Sequence, residues 1–343
     1  MKVKRLLLLV GSICLVLVFA SLSFIAEKAL AQQKTYNWKM TSPMPAGNIQ
    51  NRSIIDFAKT LEQRTSGAVK ITIYESTLGA PTDQWDMVRT NTIQFAYTHD
   101  GYNAGRMPVY FLFGLPFELT DMNTVFNVAN DWLKAGYLKE LTDNFKVLHF
   151  MPTNLLQLIM RTKKVATMDD FKGMKIRSGT GLQGQTLSAL GATGVSMAGG
   201  EVYMALQTGV IDGAITGIDV VNDRKLYEVA KYALRLPLYG ACFVLLMNKE
   251  IWNDLPKDLQ TLVEQVSKDA ANVDLKKRTD EENSLWERIR KLGVDIYNIS
   301  PQEEARWKKA SAGIADKYVS DIVAKGHPAK EALELMRKVV SKK

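Results

Sequence analysis

The sequence predicts an α/β protein of two lobes. Two stretches alternate strand and helix, one from about Thr35 to His99 and one from about Leu155 to Thr216. Each rhythm implies a parallel sheet covered by helices. Helical periodicity then runs unbroken from about Pro256 to Leu292. About 36 residues at 1.5 Å each make a rod of about 54 Å, longer than one small lobe, so this helix is expected to span both. With an amino-terminal leader set aside, about 312 residues remain, a length that fits roughly two domains.

The leader is read from its three parts. Lys2, Lys4 and Arg5 form a basic start, Leu6 to Ile25 is apolar, and Ala29-Leu30-Ala31 is a small-x-small cleavage signal before Gln32. Residues 1–31 are therefore expected to be a cleaved signal peptide, with no stable membrane insertion afterwards. The rival reading is an uncleaved anchor, since the run is long enough to span a bilayer. Removing four basic residues and one acidic one takes the formal charge from +8 to +5. That surplus fits an anionic ligand. No aromatic-interleaved basic stripe supports nucleic-acid binding. One cysteine, Cys242, lies beyond the leader, so stability must come from a core that a chain of this length can supply. Its apolar setting, GACFVLLMN, reads as a buried small hydrophobe.

The elements follow in order. TYNWKMTSP is a strand. NRSIIDFAKTLEQRTSG carries Ile54, Phe57, Ala58 and Leu61 at helical spacing and stops at Gly67. AVKITIYES alternates as a strand, PTDQWDMVRTNT is a short helix, and IQFAYTH is the next strand. Ligands of such sheets bind at the carboxyl ends of the strands, which makes Thr41–Gly47, Ser76–Pro81 and Thr98–Gly105 candidate loops. Helices fill about Met122 to Leu141, and FKVLHFMP returns to strand. The second rhythm runs LLQLIMRT, GMKIRS, LQGQTLSALG, ATGVSM, GEVYMALQTG and VIDGAIT. ACFVLLMN is another strand, and two helices follow VDIYNIS to close the chain.

Little in the chain looks catalytic. His99, His149 and His327 are not paired at metal-ligand spacing, and neither H-E-x-x-H nor C-x-x-C occurs. No metal site and no cofactor is expected. Ser196, in GVSMA, fails the G-x-S-x-G elbow. The stretch KIRSGTGLQGQTLSALG does spell G-x-G-x-x-G through Gly179, Gly181 and Gly184. A dinucleotide turn needs an acid ending a strand about twenty residues on, whereas Glu201 opens a helix. The other reading starts from Arg177, at a strand end. Its planar fork matches a carboxylate, and the free amides of a helix opening near Gly181 can join it. A surface arginine in a salt bridge is an equal reading of these residues alone.

MDDFKGMKIRSGTG, followed by GATGVSMAGGEVYMALQTGVIDG, KLYEVAKY, LLMNKEIWNDLP and the long helix, resembles the periplasmic substrate-binding proteins of TRAP transporters, the DctP-like family. The likeness covers nearly the whole chain after the leader. It implies a two-lobed periplasmic binding protein whose long helix braces both lobes. Lobe one is then residues 34–152 plus 241–280, and lobe two 153–240 plus 281–343. It further implies that an organic acid binds between the lobes, that the lobes close, and that a TRAP membrane permease receives the ligand without covalent chemistry.

In this family the arginine of K-I-R pairs with the ligand carboxylate, and Arg177 holds that position. The position twenty residues earlier, an arginine in some members, is Gln157 here. The polar position four after Asp212 is Thr216, matching neither the asparagine nor the metal-adjacent acid of other members. Arg161 shares a face with Gln157 if no bulge intervenes. Asp219 faces the cleft or is a solvated acid. Lobe one is expected to offer Trp85, Tyr97, Thr98 and Tyr102, and Tyr239 and Phe243 flank the hinge. One cationic fork among aromatics suggests a monocarboxylate with an apolar or aromatic body. Two other readings are a ligand-presenting partner of a sensor kinase and an exported α/β enzyme acting on an acidic substrate.

Overall fold

The computed structural model describes residues 34–102 and 105–342, so the leader and its cleavage site lie outside the described residues. The first sheet collects β1 (Tyr36–Ser42), β2 (Val69–Glu75), β3 (Phe95–His99), β4 (Phe145–Pro152) and, from much later in the chain, Cys242–Asn248. Its helices are α1 (Arg52–Arg64), α2 (Gln84–Arg89), α3 (Met122–Lys134) and the short α4 (Lys139–Thr142). The α1 stripe of Ile54, Phe57, Ala58 and Leu61 is buried, as its spacing requires. At the start of α3 the Asp121 carboxylate accepts from the Thr124 amide at 2.9 Å, satisfying one of the amides a helix start leaves open.

The second sheet holds β5 (Leu156–Met160), β6 (Lys175–Ser178), β7 (Thr193–Ser196), β8 (Gly213–Gly217), β9 (Tyr232–Leu234) and Asp295–Tyr297. Helices α5 (Gly181–Leu190), α6 (Val202–Thr208) and α7 (Ile218–Asp223) connect its strands. The remaining elements are β10 (Cys242–Asn248), α8 (Lys249–Asn253), α9 (Lys257–Lys291), β11 (Asp295–Tyr297), α10 (Pro301–Val323) and α11 (Ala329–Val340).

Strand order is β2-β1-β3-β10-β4 in one sheet and β11-β9-β5-β8-β6-β7 in the other. The expectation of parallel sheets needs correcting, because both are mixed. β1 runs parallel to β2 and β3, but β10 is antiparallel to β3 and β4. Likewise β6 is parallel to β7 and β8, whereas β5 is antiparallel to β8 and β9. The strands that break the pattern, β5 and β10, are the ones that follow the two crossings between the sheets near Thr153 and Ala241. A strand entering from the opposite lobe has no crossover helix of its own to turn it parallel.

Both faces of each sheet are covered, giving four apolar layers. Helix α9 binds them together. Val263, Val266, Ala270, Ala271 and Leu275 pack into the first lobe, while Trp286 and Ile289 pack into the second. Each fully buried large side chain contributes about 1.5–3 kcal/mol. At 35 residues the helix is about 52 Å long.

The chain's end departs from the expected boundary. Residues 281–343 are expected in lobe two, and Trp307 of α10 does pack there. From Ala315 onward the buried face belongs to the first lobe's core, with Ile322, Ala332, Leu333 and Met336. The Trp132 indole of α3 donates to the Ala332 carbonyl at 2.8 Å. An amphipathic stripe shows that a face is buried, but not against which lobe. Among the described residues no helix is long and apolar enough to cross a membrane.

Candidate ligand-binding cleft

The second sheet places three of the expected residues on one face. Gln157 of β5 stands opposite Thr216 of β8, and Arg177 of β6 opposite Ala214, two residues back along the same strand. Partnered residues share a face, and so do residues i and i+2 of a strand. Gln157 and Thr216 are 4% and 7% exposed, and Arg177 is half-buried. The Arg177 guanidinium is aimed by two backbone carbonyls, Nε donating to Met197 at 3.1 Å and Nη1 to Ile215 at 3.0 Å. Neither acceptor carries a full charge. Burial holds its pKa below the usual value, and the neighbouring Arg224 cation lowers it further. The Gln157 amide Nε2 donates to the Leu155 carbonyl at 3.2 Å.

The glycines serve packing. Gly179 and Gly181 are not in the left-handed region. A Cβ on Gly179 would stand 3.1 Å from Arg177 Nη2, so its absence leaves room for the guanidinium. A Cβ on Gly194 of β7 would lie 2.9 Å from Gly184 Cα, which lets α5 lie directly on the strand. The helix start is also less open than expected. The Gln183 amide is capped by the Thr180 hydroxyl at 3.4 Å, and the Gly179 amide donates to Gln183 Oε1 at 2.7 Å.

The first lobe meets this face through Tyr102. It follows β3 in a short 3-10 turn, Asp100–Tyr102. Burial pushes its hydroxyl pKa up, while the charges of Arg224 and Arg177 pull it down, so all three groups lie near one another across the lobe boundary. The His99 ring lies 4.2 Å from the Tyr102 ring, and its Nδ1 accepts from the Gly101 amide at 2.9 Å.

The other lobe-one candidates point elsewhere. Trp85 packs edge-on to Phe145, 4.6 Å between centroids, inside the core. Tyr97 is fully buried and stacks on Phe243 at 4.7 Å. Thr98 is fully buried too. β3 lies between β1 and β10, and its Phe95, Ala96 and Tyr97 belong to the apolar layers on its two faces. Tyr239 is 2% exposed in the second lobe's core, where burial pushes its hydroxyl pKa up.

Arg161 is a correction. It shares the face of Gln157 by alternation, but four residues at about 3.3 Å carry it about 13 Å along the strand. Its amide donates to the Asp212 carbonyl, and its guanidinium lies against Gly209, at the far end of β8.

Asp219 is not solvated. It is 2% exposed, and its Oδ2 accepts from Gln50 Nε2 of the first lobe at 2.6 Å. Gln50 Oε1 in turn accepts from Arg278 Nη1 of α9 at 2.5 Å. Arg278 completes its set with Asp274 Oδ2 at 2.9 Å and the Ile49 carbonyl at 2.8 Å. Arg52 of α1 reaches Asp274 at 2.9 Å and Glu281 at 2.9 Å. This buried chain ties both lobes to the long helix. Burial pushes the Asp219 carboxyl pKa up, against the pull of Arg278.

Sequence reading missed Arg224, Gln50 and Arg278. Arg278 sits four residues from Asp274, a spacing that ordinarily marks a surface ion pair. Arg224 ends a short helix with no motif around it. Among the described residues there is no cluster of three or more His, Cys, Asp or Glu side chains placed to hold a metal.

Residues 41–321 match the family profile described as bacterial extracellular solute-binding protein, family 7. The chain is 26% identical to the 2,3-diketo-L-gulonate-binding periplasmic protein YiaO of Escherichia coli, over 91% of this chain and 94% of that protein. It is 24% identical to the C4-dicarboxylate-binding periplasmic protein DctP of Rhodobacter capsulatus, over 78% and 82%. A marine metagenome TRAP solute-binding protein, solved with metahydroxyphenylacetate, superposes with a TM-score of 0.82 at 24% identity, over 90% of this chain and 99% of that one. The chain belongs to solute-binding protein family 7 and is a TRAP transporter substrate-binding protein. Proteins of this family bind small organic acids and work with membrane permease components.

Proposed function

We propose that this chain captures an organic acid between its lobes through a salt bridge from Arg177 to the ligand carboxylate and passes it to a TRAP permease. One observation carries the reading. A half-buried guanidinium is aimed by two neutral carbonyls, and among the described residues no carboxylate pairs with it. A cation left so is costly unless an anion arrives, and a carboxylate matches its fork. Gln157 and Thr216 stand on the same face to accept or donate to the rest of the ligand. Tyr102 contributes from the other lobe, so ligand touching both sides favours the closed arrangement. No step makes or breaks a covalent bond.

The identity of the acid is a finer matter. Relatives are named for acids as different as 2,3-diketo-L-gulonate and C4-dicarboxylates, so no single ligand carries over. A monocarboxylate with an aromatic body drew its support from Trp85, Tyr97 and Tyr239, all of which are packed in cores. Tyr102 is what remains of that support.

The test is calorimetric titration of the mature protein with an organic-acid panel. Arg177→Gln is expected to weaken the best acid about 100-fold, the loss that follows when one partner of a desolvated charge pair is removed. Unchanged affinity would mean that the carboxylate sits elsewhere. Export is tested separately. The protein recovered from the periplasm is expected to begin at Gln32, and an intact Met1 in the mature product would support the anchor instead.

A further inference from the structure

We propose that Arg224 is a second anion-binding residue of the cleft, and that the site selects acids bearing two anionic groups over those bearing one. The inference rests on the Arg177 reading above. It begins from the loop after β7, at 197–200. Arg177 Nε is bonded to the Met197 carbonyl at one end of that loop. Arg224 lies against its other end, with Nη1 2.9 Å from where a Cβ on Gly199 would be and 4.0 Å from the same point on Gly200. Two guanidiniums thus meet one short loop from different elements, β6 and the end of α7.

Arg224 Nη1 is buried and has no hydrogen-bond partner. A buried donor left unsatisfied costs about 1–3 kcal/mol, more when charged, so a group of this kind needs an explanation. The nearest acid in sequence does not supply one, because Asp223 accepts from Asn48 Nδ2 at 3.4 Å and from Asn222 Nδ2 at 3.0 Å. The groups whose charges bear on Arg177 are Arg224 and Tyr102, with no carboxylate among them. Among the described residues, two guanidiniums therefore meet beneath a tyrosine from the opposite lobe with no carboxylate paired to either. One carboxylate neutralises half of that charge, whereas a diacid neutralises all of it. The second anion also gives Arg224 Nη1 the acceptor that it lacks.

The experiment uses matched pairs, so that only the second carboxylate differs: butyrate with succinate, pentanoate with glutarate, and benzoate with phthalate. Each is titrated into the mature protein and into the Arg224→Gln, Arg224→Lys and Arg177→Gln variants, with circular dichroism checking the fold. The tightest ligand is expected to be a diacid, about 10- to 100-fold tighter than its monoacid partner. Arg224→Gln is expected to erase that gap, and Arg224→Lys to restore part of it. If the tightest ligand is a monoacid, or if Arg224→Gln leaves the gap intact, the proposal fails while the Arg177 clamp stands. If Arg224→Gln weakens mono- and diacids equally, both arginines grip one carboxylate and the two-anion selection is wrong. If no acid binds, or if Arg177→Gln changes nothing, the clamp fails and this inference falls with it.

Discussion

Arg278 and Arg177 are the same side chain placed in two regions that treat it oppositely. Arg278, on the long helix, is 1% exposed and fully engaged. It donates to Asp274, Gln50 and the Ile49 carbonyl, so its charge and its donors are both satisfied. Arg177 is half-buried, fixed by two carbonyls, and beside another cation. In the first region the protein supplies every partner itself, so the arginine ties lobes and helix together. In the second it supplies only the aim and leaves the counter-charge out. On the proposed reading of Arg177, partner completeness separates a cation that holds the fold from one that waits for a ligand, and degree of burial alone does not.

Removing Arg278 should have the largest effect on stability. Arg278→Met takes one partner from a buried pair, leaving Asp274 with Arg52 alone and Gln50 Oε1 without its donor, which typically costs about 3–5 kcal/mol. Urea unfolding should show a lower midpoint at unchanged slope. A loss below about 1 kcal/mol would erase the distinction between the two regions. Arg177→Gln should do the reverse. The expected binding loss is about 100-fold, close to 3 kcal/mol, while unfolding stability shifts by less than about 1 kcal/mol. A variant that unfolds more easily than Arg278→Met would show Arg177 to be structural.

Asp219→Asn should be the mildest change. Burial raises the Asp219 carboxyl above its ordinary 3.8, so the folded state holds a proton that the unfolded state releases. Stability from this group is present at low pH and declines as pH rises from about 3.8 through the folded value. The variant should show a flatter profile of urea midpoint between pH of about 4 and 7, with a difference under about 1 kcal/mol near neutrality. A steeper profile in the variant would mean that Asp219 is held charged by Arg278, and that the buried chain through Gln50 and Arg278 is more strongly ionic than its burial implies.

Much of the fold is legible in the chain. The spacing of Ile54, Phe57 and Leu61 specifies α1, and alternation marks β2. The unbroken run after Pro256 specifies a helix too long for one lobe. Arg177 stands out in the chain as an arginine at a strand end before a helix, but from those residues alone a surface salt bridge is an equal reading, and only the structure shows it bonded to the Met197 and Ile215 carbonyls. Trp85 and Tyr97 lie in apolar cores, for a geometric reason. Tyr97 sits on a central strand whose two faces are both covered by apolar layers, and Trp85 packs on Phe145 within one of them. Alternation within a strand cannot reveal how many of its faces are covered.

The sequence by itself determined the elements, the two α/β rhythms and the spanning helix. These are local, since each depends on residues within a few turns of one another. Only the tertiary structure decided which strands run antiparallel, that α11 returns to the first lobe, and that Arg161 lies at the far end of its strand. Tertiary structure also decided which charges have partners. Arg278 finds Gln50 from 228 residues away, and Arg177 finds Ile215 from 38. A charge's role is set by what surrounds it, and that surrounding is assembled from parts of the chain that no local pattern connects.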